Sequence, residues 1–159
     1  MIIILSYRMT QGEQLTDLSY LKEMSGNDIN IIEEMIEIFI EQIPEFTEEV
    51  SNYFEAQNWQ GLGAVAHKAK SSVRTMGMDS IGDCLEQLEH FSKGNLKFEL
   101  QIKKEKGFEL SPEDEKNWSN VMHETTNDVE MKHIPDLVEC FLSKCPLAVN
   151  ELRSNLKKL

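Results

Sequence analysis

Hydrophobic positions recur with a helical period through most of the chain. Over residues 28–57, Ile31, Ile32, Met35, Ile36, Phe39, Ile40, Ile43, Phe46, Val50, Tyr53 and Phe54 keep that spacing for about seven turns, which predicts one long amphipathic helix. Pro44 lies inside it, and the unbroken period on both sides predicts a kink rather than a break. A shorter helix over residues 17–24 precedes it and stops at Ser25-Gly26, with Asn27 as cap of the long one. Asn58 caps the next helix and Gly77 ends it, where a left-handed conformation is cheap for glycine. Asp79 is then expected to cap a helix carrying Ile81, Cys84, Leu85, Leu88 and Phe91 that stops at Gly94-Asn95.

The pattern changes after Asn95. Leu96, Phe98, Leu100 and Ile102 alternate before a Lys-rich stretch and Gly107, which predicts a small β-hairpin. Ser111-Pro112-Glu113-Asp114-Glu115 starts a helix with a cap, a first-turn proline and acids at the positive end, and Trp118, Val121 and Met122 form its expected inward face. A last helix is expected from near Val129 through Leu137, Phe141, Val149 and Leu156, bent at Cys145-Pro146. These elements predict an all-α fold: an antiparallel, up-down four-helix bundle with a short N-terminal helix and an insertion, residues 96–127, between the third and fourth bundle helices. Residues 1–15 are expected to be a flexible extension and 16–159 the bundle. Met1-Ile2-Ile3-Ile4-Leu5 is too short for a secretory signal, and Met9 is an alternative start.

One helix carries candidate chemistry. At about 100° per residue, Leu62, Val65, Ala66, Ala69, Val73 and Met76 share one buried sector, and His67 points roughly 150° away from its middle, towards solvent. Gly63, Ala64 and Ser71 neighbour the ring without shielding it, and Lys70 and Arg74 follow at i+3 and i+7. An ordinary imidazole titrates near ~6.5, so at neutral pH much of it is free base and can attack phosphorus without a catalytic base. Lys70 would steady the phosphoryl oxygens. An exposed histidine alone is usually an ordinary surface residue; the small neighbours and Lys70 favour the chemical reading here.

The run His67, Lys70, Ser71, Ser72, Val73, Gly77 resembles the signature of the histidine-containing phosphotransfer (HPt) domains of two-component phosphorelays. The resemblance extends upstream through Ile32, Met35, Phe39, Ile40 and Pro44 and downstream through Gly82, Leu85 and Leu88, covering roughly residues 17–95. It implies a relay in which a receiver-domain phosphoaspartate passes its phosphoryl group to His67, the phosphoacceptor, and a second receiver takes it on. Lys70 would stabilise the phosphoryl group, Gly63, Ala64, Ser71 and Arg74 would serve partner docking, and Gly77 would be structural. Ser71 stands where the family most often has glycine, and Val73 and Arg74 are bulkier than its usual residues. Both departures leave the chemistry intact and narrow the choice of partner.

Composition narrows the alternatives. With 16 Lys+Arg against 28 Asp+Glu the net charge is −12, which opposes binding to nucleic acid and to anionic membranes. Lys68, Lys70 and Arg74 would form a small positive island around His67. His90, His123 and His133 are too dispersed for a metal site, and no nucleotide-binding fingerprint is present, so no cofactor of its own is expected and Mg²⁺ should come from the receiver. Three cysteines without C-x-x-C spacing fit a reducing, cytoplasmic setting, and a monomer is expected. Two alternatives stay open: a non-catalytic helical adaptor that binds a receiver or kinase without phosphoryl transfer, and the phosphorylated module of a chemotaxis-type kinase, a module expected in longer chains.

Overall fold

The structure, a computed structural model, describes residues 14–125 and 132–159, and among these it is all-helical. The helices are α1 (Ser19–Met24), α2 (Ile29–Glu55), α3 (Trp59–Thr75), α4 (Asp79–Glu105), α5 (Pro112–Val121) and α6 (Ile134–Leu156). The apolar stripes of α2, α3, α4 and α6 meet in one core that includes Ile36, Phe46, Leu62, Val73, Leu88 and Phe141, all essentially inaccessible. The most extensive pairing is between α3 and α4, and α6 packs on both α2 and α4. Helix α5 packs on α4. No helix among the described residues is long and apolar enough to cross a membrane.

The helix ends show which local signals count. Asp28, not Asn27, caps α2: its carboxylate accepts from the N–H groups of Asn30 and Ile31, while Asn27 takes a left-handed φ of 61° in the turn before it. Asn58 caps α3 through the Gly61 N–H as its sequence predicts. Met78 rather than Asp79 holds the cap position of α4 and makes no side-chain bond there; Asp79 sits in the first turn, where its charge meets the positive end of the helix dipole. Ser111 caps α5 through the Asp114 N–H. Both Pro44 and Pro146 lie inside continuous helices.

The segment after Asn95 departs most from expectation. No hairpin forms, and α4 runs straight through Gly94-Asn95 to Glu105. Gly94 is buried in the helix interior, where glycine costs about 1 kcal/mol relative to alanine. Two anchors beyond it offset that cost: Leu100 is buried, and the Trp59 indole N–H donates to Glu99 Oε1 at 2.9 Å. The glycine that ends the helix is Gly107, with φ 78°. In α5 Val121 is buried as expected, but Met122 is exposed and Asn117 takes its inward place. Trp118 lies half-buried beneath the Lys104 ammonium, 4.4 Å from the ring centroid. The last helix begins at Ile134, and the start expected near Val129 lies outside the described residues.

The described residues begin inside the predicted extension of residues 1–15, most of which lies outside them. Leu15 is buried, and the N–H groups of Leu15 and Thr16 both donate to the Glu151 carboxylate on α6. Cys84, Cys140 and Cys145 are buried and not joined in disulfides. A hydrogen bond with Cys84 and burial both raise the Cys140 thiol, and burial pushes Cys145 up to about 12, so these are packing groups rather than nucleophiles.

Gly77 joins α3 to the rest of the fold. Its φ is 65°, and a Cβ there would fall on the Asp17 backbone, whose N–H donates to the Met76 carbonyl at 3.1 Å. Gly77→Ala therefore combines left-handed strain of about 1–3 kcal/mol with a backbone clash. Its thermal midpoint should fall by about 4 °C or more, as read by calorimetry; an unchanged midpoint would show that this turn relaxes freely.

Candidate functional site

His67 sits mid-way along α3, opposite the buried stripe of Leu62, Val65, Ala66, Ala69 and Val73, and its side chain is 67% exposed. The orientation follows from helix periodicity alone. What the ring touches comes from α4: Nδ1 lies 2.9 Å from Glu89 Oε1.

Glu89 is buried, which is rare for a carboxylate and needs compensation. Lys70 Nζ reaches its Oε2 at 3.0 Å, and Lys93 Nζ, one turn along α4, reaches Oε1 at 2.9 Å. Burial on its own would raise the carboxyl, but the hydrogen bonds and charges of Lys93 and Lys70 outweigh it and hold Glu89 below the usual glutamate range. Glu89 is therefore ionised at neutral pH and can only accept hydrogen bonds. The consequence for the neutral imidazole is definite: Nδ1 carries the hydrogen and donates to Glu89, and Nε2 is left with its lone pair.

The other predicted site residues divide between surface and packing. Ala64 and Ser71 are exposed on either side of His67, leaving the ring open. Gly63 is buried, with a Cβ position 3.6 Å from Ser92 Cβ and 3.8 Å from the Glu89 carbonyl, so it brings α3 close to α4 rather than clearing space at the surface. Arg74 is turned to its own chain: one guanidinium nitrogen lies 2.9 Å from Glu86 and 3.4 Å from Asp83, and its stem packs over Gly82. The expected positive island is thus largely neutralised. Lys70 is paired with Glu89 and Arg74 with two acids, while the Lys68 ammonium lies 5.6 Å from the Phe46 ring centroid.

Glu89 and Lys93 are the residues that sequence reasoning missed. Both follow Gly82, Leu85 and Leu88 on the helix that pairs with α3, and Glu89 borders the apolar face, where a carboxylate is conspicuous. Among the described residues no group of three or more His, Cys, Asp or Glu side chains is placed to hold a metal ion. One hollow reaches the ring and another lies beyond it. One, of about 830 Å³, runs between α3, α4 and α5 and includes Ala64, His67, Glu89 and Lys93. The other, one turn further along α3, brings Ser71 and Arg74 beside Tyr20 of α1, which is largely exposed. Ile29, Ile31 and Ile38 are also exposed on α2.

The Hpt domain family model matches residues 34–113, about half the chain, and so includes His67, Lys70, Glu89 and Lys93. The chain is also 26% identical over 144 residues to the phosphorelay intermediate protein YPD1 of Candida albicans, across 79% of this chain and 77% of that protein. No solved structure matches significantly.

The carboxylate's depressed titration makes stability depend on acid. Because Glu89 is held below its unfolded value, its contribution is complete above the ordinary glutamate pKa of about 4.3 and is lost as pH falls through the lower folded value. Glu89→Gln should therefore melt below the native chain at pH 7, with the gap shrinking below about pH 4. A gap that stays constant from pH 7 to pH 3 would remove the charge from this account of α3–α4 packing.

Proposed function

From the premise that the chain belongs to the Hpt domain family and serves histidine phosphotransfer in a two-component phosphorelay, we propose that His67 is its phosphoacceptor and that Nε2 is the reacting atom. The observation that carries this reading is the Nδ1 to Glu89 contact, which fixes the tautomer and aims the free lone pair away from the protein. Nε2 attacks the phosphorus of a receiver's aspartyl phosphate. The N–P bond forms as the P–O bond to the aspartate breaks, and the aspartate leaves as a carboxylate. No proton moves. The ring, now bonded at both nitrogens, becomes an imidazolium, and Glu89 already stands against its Nδ1–H as the counter-charge. Return of the phosphoryl group to a second receiver runs the same step backwards.

Lys70 is placed to stabilise the phosphoryl oxygens. Its ammonium is held by Glu89 in the resting site, 21% exposed, and a phosphoryl group on the neighbouring ring competes for it. Sharing one carboxylate with Lys93 means that Lys70 can turn to phosphate while Glu89 keeps a cation. Mg²⁺ belongs to the receiver in this reading: the one carboxylate at the ring is taken up by His67, Lys70 and Lys93. Receiver domains dock over Ala64 and Ser71, with the exposed Tyr20 as an apolar contact. Gly63 and Gly77 act by packing and turn geometry, and Arg74 acts through the α3–α4 surface it braces.

The finer features of the fold belong to the same proposal. The four long helices form an antiparallel, up-down bundle with α1 across one end and α5 as an addition between its third and fourth members. A net charge of −12 opposes self-association, and three buried cysteines outside any disulfide suit a reducing interior, so the chain acts as a cytoplasmic monomer.

Transfer from isolated receiver domains phosphorylated at their aspartates tests the assignment. His67→Gln should abolish label while leaving the circular dichroism spectrum unchanged, and the native product should be labile to acid and stable to alkali. Lys70→Ala should slow transfer about tenfold or more; an unchanged rate would remove Lys70 from the reaction. Receiver binding without any transfer by the native chain would select the non-catalytic adaptor instead.

A further inference from the structure

The hollow beside His67 has one wall that the family match does not supply. The matched region ends at residue 113, whereas α5 runs from Pro112 to Val121 and contributes Lys116, Asn117 and Asn120 to the cleft. The opposite wall is α3 with Gln60 and Ala64, and the floor is the Trp59, Leu96 and Val121 side chains. An element that continues past the matched Hpt region thus forms one side of a groove that opens on the proposed reacting histidine.

That wall is held firmly. Asn117 Nδ2 donates to Gln60 Oε1 at 3.0 Å, Lys103 pairs with Asp114 at 3.0 Å, and Lys104 stacks over Trp118, so α5 is fastened to α3 and to the far end of α4. The Trp59 bond to Glu99 adds a tie between α3 and that same stretch of α4. Three α5 side chains that line the cleft, Glu113, Lys116 and Asn120, are exposed and without a hydrogen-bond or ion-pair partner among the described residues. A fixed groove with an apolar floor and an unpaired lysine on its rim is organised for a partner before any partner arrives.

We propose that α5 is a specificity wall for the receiver that exchanges phosphate with His67: a segment of the receiver beside its phosphoaspartate enters the cleft, with an acidic or amide side chain against Lys116 and Asn120. The inference rests on His67 being the phosphoacceptor. Its occupant follows from continuity, because the cleft shares Ala64, His67, Glu89 and Lys93 with the reaction site. A donor that brings phosphorus to about 3–3.5 Å from the ring nitrogen necessarily lies against the mouth of the cleft. The donor's reacting end is anionic, and Lys116 is a cation lining the same cleft as His67, where Lys70 does not reach. Groups on this wall meet the partner's body rather than the transferring phosphorus, so they should alter encounter and KM more than the chemical step.

The test compares two phosphodonors on the full chain. Lys116→Glu, and separately the cleft-filling Asn120→Trp, are assayed with a panel of phosphorylated receiver domains and with phosphoramidate, a small donor that labels histidine without docking. Phosphoramidate labelling of His67 should match the native chain. With receivers, KM should rise at least fivefold with kcat within twofold, by unequal amounts across the panel. An unchanged KM in both variants overturns the proposal, and so does an equal loss with both donors, which would make α5 a support for the histidine. A native dimer in sedimentation that either substitution dissolves would assign the cleft to a second copy and overturn it too. If the native chain takes no label at His67 from either donor, the phosphoacceptor reading itself fails and the role of α5 falls with it.

Discussion

Everything at this site depends on one buried carboxylate. Glu89 lies in the seam between α3 and α4, and a charge there is tolerable only because Lys70 and Lys93 compensate it and the His67 ring donates to it. The same contacts perform three tasks. They join the two helices that pair most extensively, they fix which imidazole nitrogen carries hydrogen, and they hold a lysine one helical turn from the reacting ring. Stability and chemistry therefore share a group, which is why a site so open to solvent on its outer side can be so well defined on its inner one.

Much of this was legible in the sequence, and the boundary has a physical cause. Periodicity placed the long helix of residues 28–57, the stripe of α3 and the outward direction of His67, because these are properties of one helix taken alone. Contacts between helices were not legible. Glu89 reads as another acid in an acidic chain until α4 is laid against α3, and only then do its two lysines and the imidazole converge. The same limit explains Gly63 and Arg74. Both flank His67 in helical projection, yet one is spent on the approach of α4 and the other on Asp83 and Glu86.

The error beyond Asn95 arose from treating glycine as punctuation. Gly94 suits a stop signal and Leu96, Phe98 and Leu100 suit a strand, but Gly94 lies buried inside a continuous helix, and the true stop is Gly107, where φ is positive. The longer α4 provides the platform on which α5 is fastened, and α5 in turn completes the groove next to His67. The Hpt family match covers the α3–α4 pair that carries His67 and Glu89, while α5 continues past the matched region.

The most direct test of the Glu89-held imidazole is the position of phosphorus on the ring. Phosphorylated protein with ¹⁵N-labelled histidine, examined by ³¹P and ¹⁵N NMR, distinguishes the two nitrogens by their couplings. Phosphorus on Nε2 of His67, with Nδ1 still bearing its hydrogen, is the predicted result. Phosphorus on Nδ1, or on any of the other three histidines, would contradict the account, because the first requires the Glu89 contact to be broken and the second moves the reaction to another surface.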